Sequence, residues 1–222
     1  MPTYNTPEPI SAVLDIPAGR IQFIAADRAD TAVEILPANP SKGRDVKAAE
    51  EAKVEYGDGV LRIEVSAKNQ YFGPSGSVAV TVHLPAGSQV EVNAASAELR
   101  AVGRFGDVAV KSAHGSIDLE DVASARLTTV AGDVSVGRLN GPAEIRTSQG
   151  DIRIAEAVSG AVVLRTDVGE VEVGAAAGVS ASLDAGTTTG RISNALKNAE
   201  GDTAPLTIRA TTTVGDIVAR SL

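Results

Sequence analysis

The 222-residue sequence contains no cysteine and no tryptophan, and only 3% of its residues are aromatic. The absence of cysteine excludes disulfides, cysteine-ligated zinc and thiol catalysis together. Because aromatic rings are so scarce, the core must be built from Val, Ile, Leu and Ala, with Thr filling in. Such a core suits small, repeated β layers better than a large globule centred on aromatic side chains.

Basic residues and long apolar runs are also in short supply. The 28 acidic residues outnumber the 20 basic ones, which gives a net charge of −8, and this argues against nucleic-acid binding because that function needs a basic surface. No window approaches the roughly 18 continuous apolar residues of a membrane helix. The opening MPTYNTPEPISAVLDI has no basic n-region, so it does not read as a signal peptide. These features predict a cytoplasmic protein without a membrane span.

Residues 1–92 are predicted to form a strand-rich capping region, since apolar residues alternate along several short stretches, among them Ile21 and Phe23, and Val78 to Val82. Asp58-Gly59 separates two such stretches and predicts a hairpin turn. The segment DVKAAEEAKV from Asp45 predicts one short helix, with Asp45 available as its N-cap. FGPSGS at 72–77 predicts a loop.

Residues 93–222 are repetitive, and a Gly–polar–Val/Ile pattern marks the repeat. It recurs at seven glycines: Gly106, Gly115, Gly132, Gly150, Gly169, Gly190 and Gly215. The last five are preceded, at a distance of 5, 5, 5, 7 and 7 residues, by Leu127, Ile145, Leu164, Leu183 and Ile208. Two short strands per unit cannot bury their apolar sides alone, whereas stacked units can. We therefore predict an all-β fold: a β-solenoid of about five coils, right-handed by the usual preference, joined to the N-terminal region.

These segments resemble the bacterial DUF4097 family of β-strand-repeat proteins, which is related to candidate adhesin domains, and in particular its actinobacterial members. The similarity lies in DVKAAEEAKVEYGDGVLRIEV, in GSVAVTVHLPAGSQVEV, in the repeated G-D-[VI]-x-[VI] units and in the closing GRISNALKNAEGDTAPLTIRATTTVGDIVARSL. The resemblance implies a β-helix-like solenoid. It implies no catalytic residues, because the family is defined by its repeat.

The Gly-Asp corners could be phosphate loops, calcium turns or structural corners. A phosphate loop leads into a helix, but each glycine here leads into strand-like alternation. Calcium-binding solenoids use a G-G-x-G-x-D spacing that is missing here. The residue after glycine is Asp133, Asp151, Glu170, Arg191 and Asp216 in turn, and arginine cannot bind calcium. The glycines are therefore predicted to be structural, with Asp bonding nearby backbone N–H groups. Arg191 is expected between Glu170 and Asp216, where it relieves their repulsion.

The residues after the inward apolar positions should point outward, and three of them are Arg146, Arg165 and Arg209. Such an arginine face could bind an acidic polymer or protein; the alternative is a solvated face with cross-coil ion pairs. His83 and His114 stand apart, without a paired nucleophile or third ligand. The sequence predicts no catalytic, metal or cofactor site, no small-molecule ligand, and no enzyme.

The function predicted from these patterns is a noncatalytic scaffold or self-association module. A solenoid ends in an open strand edge that pairs with another strand unless something covers it. The N-terminal region can cap one end. The closing GDIVARSL ends on a strand with almost nothing left to form a cap, which predicts dimers or higher oligomers through that end.

Overall fold

The computed structural model describes residues 2–65, 76–198 and 203–222, which form two compact units, Met1–Gly115 and Ser116–Leu222. Strands dominate both. The elements are β1 (Thr3–Asn5), β2 (Ser11–Ala26), β3 (Asp30–Pro37), α1 (Gly43–Glu50), β4 (Lys53–Gly57), β5 (Val60–Glu64), β6 (Val78–Pro85), β7 (Gln89–His114), β8 (Ile117–Thr128), β9 (Val134–Leu139), β10 (Ala143–Gln149), β11 (Ile152–Ala157), β12 (Gly160–Val168), β13 (Val171–Ala175), β14 (Ala181–Thr189), β15 (Ile192–Ala195), β16 (Leu206–Val214) and β17 (Ile217–Ser221). The predicted all-β, solenoid-like fold is confirmed. Residues 92 and 93 lie within β7, and the division between 1–92 and 93–222 stays a prediction.

The first unit is built around β2, which is long enough to contribute to two successive ladders. One side of β2 pairs in parallel with β7, from Ser11 opposite Gln89 to Ile24 opposite Val102. The other side pairs in parallel with β5 over residues 11–15 and with β6 over residues 19–26. Strands β5, β6 and β7 all come later in the chain than β2. Strand β2 therefore lies between strands of two coils that follow it in sequence.

Antiparallel strands cover the outer edges of the first unit's ladders. Strand β4 pairs with β5 through the predicted hairpin, in which Asp58 and Gly59 have φ values of 51° and 75°. Strand β3 pairs with β6, and β1 pairs with β3. Parallel stacking therefore stops where a strand of opposite direction is laid against it.

The predicted helix is present as α1, but Asp45 is not its N-cap. The N-cap is Lys42, and Asp45 lies in the first turn with only 3% of its surface exposed. Its Oδ1 accepts a hydrogen bond from the Ser77 N–H at 3.0 Å. The carboxylate thus holds the helix against the residue that precedes β6. Of the predicted loop at 72–77, residues 72–75 lie outside the described residues.

The second unit is a stack of coils, each with two strands. We call the strands that follow the Gly-polar corners leg A and the strands that precede these corners leg B. The long strand β8 contributes to both legs, because its first half pairs with β9 and its second half with β10. Parallel pairing runs through leg A in the order β8, β9, β11, β13, β17, β15, and through leg B in the order β8, β10, β12, β16, β14. Inward apolar residues such as Leu127, Ile145, Ile152 and Leu164 are fully buried between the two legs. The core is a file of aliphatic side chains, as the shortage of aromatic residues requires.

The order of this stack differs from the order of the sequence, and it corrects the predicted open end. Strands β16 and β17 lie between β12–β13 on one side and β14–β15 on the other. The closing GDIVARSL is therefore paired on both sides, because β17 has β13 and β15 as neighbours. The last coil of the stack is instead β14–β15, which precedes β16 in the chain.

Candidate functional site

The corner between leg B and leg A repeats one set of hydrogen bonds. Gly150, Gly169, Gly215 and Gly190 have φ values between 140° and 154°. A buried or half-buried threonine shortly before three of these corners donates its hydroxyl to the glycine carbonyl of the preceding coil, at 3.0 Å for Thr166 to Gly150, 3.1 Å for Thr212 to Gly169 and 3.0 Å for Thr187 to Gly215. Of the other three predicted structural glycines, Gly132 has a φ of 151° and Gly115 a φ of 118°, whereas Gly106 has no positive φ. The threonine hydroxyl and the glycine carbonyl thus satisfy one another at these three corners, whereas the equivalent Thr129 Oγ1 before Gly132 is buried without a hydrogen-bond partner among the described residues.

The acidic residue after the glycine accepts a hydrogen bond from a backbone N–H of the next coil. Asp133 Oδ1 accepts the Asp151 N–H at 2.9 Å, and Asp151 Oδ1 accepts the Glu170 N–H at 2.8 Å. Across the described ranges no group of three or more His, Cys, Asp or Glu could hold a metal ion. The corner carboxylates therefore join coils through the backbone.

Arg191 does not lie between Glu170 and Asp216 as expected, because β17 is inserted between β13 and β15. Asp216 lies in the middle. It accepts the Arg191 N–H at 2.9 Å and pairs with the Arg191 guanidinium at 3.0 Å. The backbone hydrogen bond first, and the side-chain hydrogen bond second, hold the pKa of the Asp216 carboxyl below its ordinary value.

The structure places only two of the three predicted face arginines in one file. Arg146 lies opposite Arg165, but Arg209 lies opposite Val163 and Asp184, two residues away along the leg. The spacing explains the offset. The inward apolar residue stands seven residues before the glycine in the last two units of the sequence and five residues before it in the others. Because the coils align on the glycine, residues counted from the apolar position are displaced by two. All three side chains are exposed. Arg209 pairs with Asp184 at 3.0 Å and Arg146 pairs with Glu144, whereas Arg165 has no ion pair with any described residue.

The outer face of leg A carries a shallow groove of about 540 Å³ that sequence reasoning missed. Its charged walls are paired across coils: Arg138 with Glu156 at 2.8 Å, and Arg153 and Arg220 with the shared Glu172 at 2.8 and 2.9 Å. Glu172 raises the pKa of Arg153. Because each arginine already has a carboxylate, the groove presents no unpaired basic group for a ligand. The sequence contained a signal for these ion pairs, because the outward residues Asp121, Arg138 and Glu156 of successive leg A strands alternate in charge.

The last coil of the stack has a different character, and we call β14 and β15 together the terminal edge. Ile192 occupies the inward file of Ile152, Val171 and Ile217, which are at most 1% exposed, yet 46% of its own surface is exposed. Leu183 is half-buried on the other leg, while its neighbour Ile208 is 2% exposed. The inward apolar positions of both legs are thus partly exposed to solvent at the terminal edge.

The backbone of the terminal edge is paired on one side. Among the described residues, β14 pairs with β16 and β15 with β17, and the opposite sides have no ladder. The Ala181 N–H is occupied by the Lys197 carbonyl at 3.0 Å. Asp184 and Arg191, the charged residues of this coil, turn towards Arg209 and Asp216 of the preceding coil. The outer side is left with neutral side chains and main-chain donors and acceptors.

The two histidines lie outside the terminal edge. His83 lies in β6 and His114 at the end of β7. No helix within the described ranges is long and apolar enough to cross a bilayer.

Comparison with known proteins gives the fold and the family. A candidate adhesin from Bacteroides fragilis is similar in structure, with a TM-score of 0.52 and 13% identity over 98% of this chain and 95% of that chain. A candidate cell adhesion protein from Clostridium sporogenes also has 13% identity, over 100% and 98%, with a TM-score of 0.39. No curated protein matches the sequence significantly. The family described as Toastrack DUF4097 matches residues 13–221, nearly the whole length, so the chain belongs to the DUF4097 family, as the repeat units suggested.

Proposed function

We propose that this protein is a noncatalytic self-association module that acts through its terminal edge. The observation that carries the proposal is Ile192, which is 46% exposed in a file whose other members are buried. A partner strand laid along β15 would bury this side chain as its neighbours are buried. Removing apolar surface from water is favourable by about 25 cal/mol per Å², so the exposed row favours a partner.

Beyond Ala181, whose N–H is covered by the Lys197 carbonyl, the described residues of the edge lack the features that keep strand edges apart. Natural edges are protected by Lys, Pro, bulges or covering segments. Strands β14 and β15 contain neither lysine nor proline. The first unit shows the contrast, because its outer strands β4 and β3 carry Lys53 and Pro37. The Bacteroides fragilis protein that shares this fold is described as a candidate adhesin, and a binding role for this chain agrees with that description.

Light scattering at high micromolar concentration tests the proposal. The wild-type chain is expected to give a mass of at least two copies. Ile192→Lys and Ser193→Lys each place a charge on the edge, and both are expected to give the monomer mass. Since both residues are exposed, the circular dichroism spectra of the two variants should match that of the wild type, while their melting temperatures should no longer depend on protein concentration.

Ser135→Lys is the control, because Ser135 is exposed on β9, four ladders away from β15. It should associate like the wild type. A strictly monomeric wild type would overturn the proposal, and so would a lysine edge variant that still associates fully.

A second candidate function is the binding of an acidic polymer or protein by Arg146 and Arg165. The supporting observation is their direct opposition on adjacent strands, where two like charges about 4.8 Å apart gain from a shared anionic partner. Titration with poly-glutamate tests it. Arg146→Ser with Arg165→Ser should abolish binding. Arg209→Ser should not, because Arg209 lies opposite Val163 and Asp184 and not in the file of Arg146 and Arg165. Equal binding by the double variant and the wild type would exclude this function.

A further inference from the structure

We infer that the occupant of the terminal edge is the same edge of a second copy, in antiparallel pairing about a two-fold axis, so that assembly stops at the dimer. This inference rests on the proposed self-association and adds its geometry. It has three supports: the covered edges elsewhere, the side-chain faces, and the position of one charge.

The first support concerns head-to-tail growth. A filament needs a second open edge, of a different kind, to receive the terminal edge of the next copy. The parallel ladders of the first unit end at β5 and β6, whose outer sides are paired with β4 and β3. The outer side of β4 has no ladder with a described residue, but β4 begins with Lys53 and β3 ends with Pro37, and both residue types protect strand edges from further pairing. The terminal edge is therefore left to pair with its own counterpart, which is an isologous contact and closes after two copies.

The second support is the geometry of the two legs. A two-fold axis perpendicular to both sheets brings leg A against leg A and leg B against leg B, and it reverses strand direction. Each leg then forms an antiparallel ladder, in which directly opposed residues share one face of the sheet. The inward row that contains Leu183 and Ile192 meets the same row of the second copy, so one continuous core runs across the contact.

The third support is Asp184, the acidic residue of β14. An antiparallel self-pairing centred on Asp184 would oppose two carboxylates, which is destabilising. Centring on Ala185 places Asp184 opposite Gly186, and centring on Gly186 places it opposite Thr188. Both registers keep inward residues opposite inward residues, since the centre stays on a residue and the side-chain period is two.

Thiol cross-linking of Gly186→Cys tests the inference against a chain that has no cysteine of its own. Gly186 is exposed, and a Cβ there would meet nothing within 4 Å, so the variant should fold. In either register the two introduced thiols lie on one face, directly or diagonally opposed, about 5 to 8 Å apart at Cβ. A short bismaleimide should convert most of the protein to a single species of twice the chain mass.

Ser135→Cys is the matched control, because Ser135 is exposed but four ladders from the edge; we expect under a tenth of the dimer yield. A wild type that is monomeric by light scattering would overturn the proposed function itself. A wild type that associates while Gly186→Cys fails to cross-link, or that grows beyond the dimer with concentration, would overturn the antiparallel dimer and leave self-association standing.

Discussion

Gly150 illustrates the constraint on single residues at the corners. Its φ is 140°, and an added Cβ would lie 2.3 Å from the carbonyl oxygen of Gly132 and 2.6 Å from the carbonyl carbon. The atoms in the way are backbone of the adjacent coil, so no side-chain movement can relieve the contact. Substitution requires the two coils to separate at the corner.

We therefore expect Gly150→Ala to lower the free energy of unfolding by at least about 2 kcal/mol. Gly57→Ala is the control, because a Cβ at this strand glycine meets nothing within 4 Å and its φ is not positive; its effect should stay within about 0.5 kcal/mol. Urea unfolding followed by circular dichroism measures both. Equal costs would show that the corner has room for a side chain.

The pKa of Asp216 gives a second residue-level prediction. The Arg191 backbone N–H lowers it most and the Arg191 side chain next. Arg191→Ala removes the side-chain hydrogen bond and the positive charge but keeps the backbone hydrogen bond, so the pKa should rise part of the way towards 3.8. Because the folded-state pKa is depressed, the stabilisation is present above pH 3.8 and is lost as the pH falls through the folded value. Carboxyl chemical shifts against pH measure the change; an unaltered Asp216 titration in the variant would contradict it.

At the scale of elements, the insertion of β16–β17 into the stack can be tested with two isoleucines in one file. Ile217 is 1% exposed between β13 and β15, and Ile192 is 46% exposed at the terminal edge. Ile217→Ala should cost about 2–5 kcal/mol, and Ile192→Ala less than about 1.5 kcal/mol, since cavity and transfer costs both scale with burial. Chemical unfolding of the two variants at low protein concentration provides the comparison. A larger cost at Ile192 would favour coils stacked in sequence order.

The elements themselves follow closely from the sequence. The alternation of apolar residues places most strands, Asp58-Gly59 forms the predicted turn, and the Ala/Glu/Lys-rich segment forms α1. The order of the coils does not follow, because every unit carries the same pattern and fits equally well on any neighbour. The 25-residue interval between Gly190 and Gly215 was the available signal of a longer connection. The offset of Arg209 was visible in the change of spacing from five to seven residues.

The candidate site was harder to predict than the fold. Ile192 has the same sequence context as its buried equivalents, namely the position after a Gly-polar pair, and only its place in the stack exposes it. Exposure here is a property of coil order and not of local sequence. The corner threonines could have been predicted, since a hydroxyl shortly before a glycine recurs in several units.

At the scale of the whole molecule, a net charge of −8 opposes the approach of two copies. The Debye length falls from about 14 Å at 0.05 M salt to about 4 Å at 0.5 M, so added salt screens this repulsion. We expect the dimer dissociation constant, measured by sedimentation, to decrease over this range. Poly-glutamate binding by Arg146 and Arg165 should instead weaken. Salt-induced dissociation of the dimer would indicate that attraction between charges holds the copies together.

The position of β16–β17 also sets an order in time. During synthesis β14–β15 leaves the ribosome before the coil on which it finally rests. The free side of β12–β13 is the surface present at that moment, and β14–β15 carries the same repeat pattern as the coil that belongs there. The final arrangement therefore requires β16–β17 to pair with β12–β13 either before β14–β15 docks or by displacing it, so this solenoid is not completed by adding coils in the order of their synthesis.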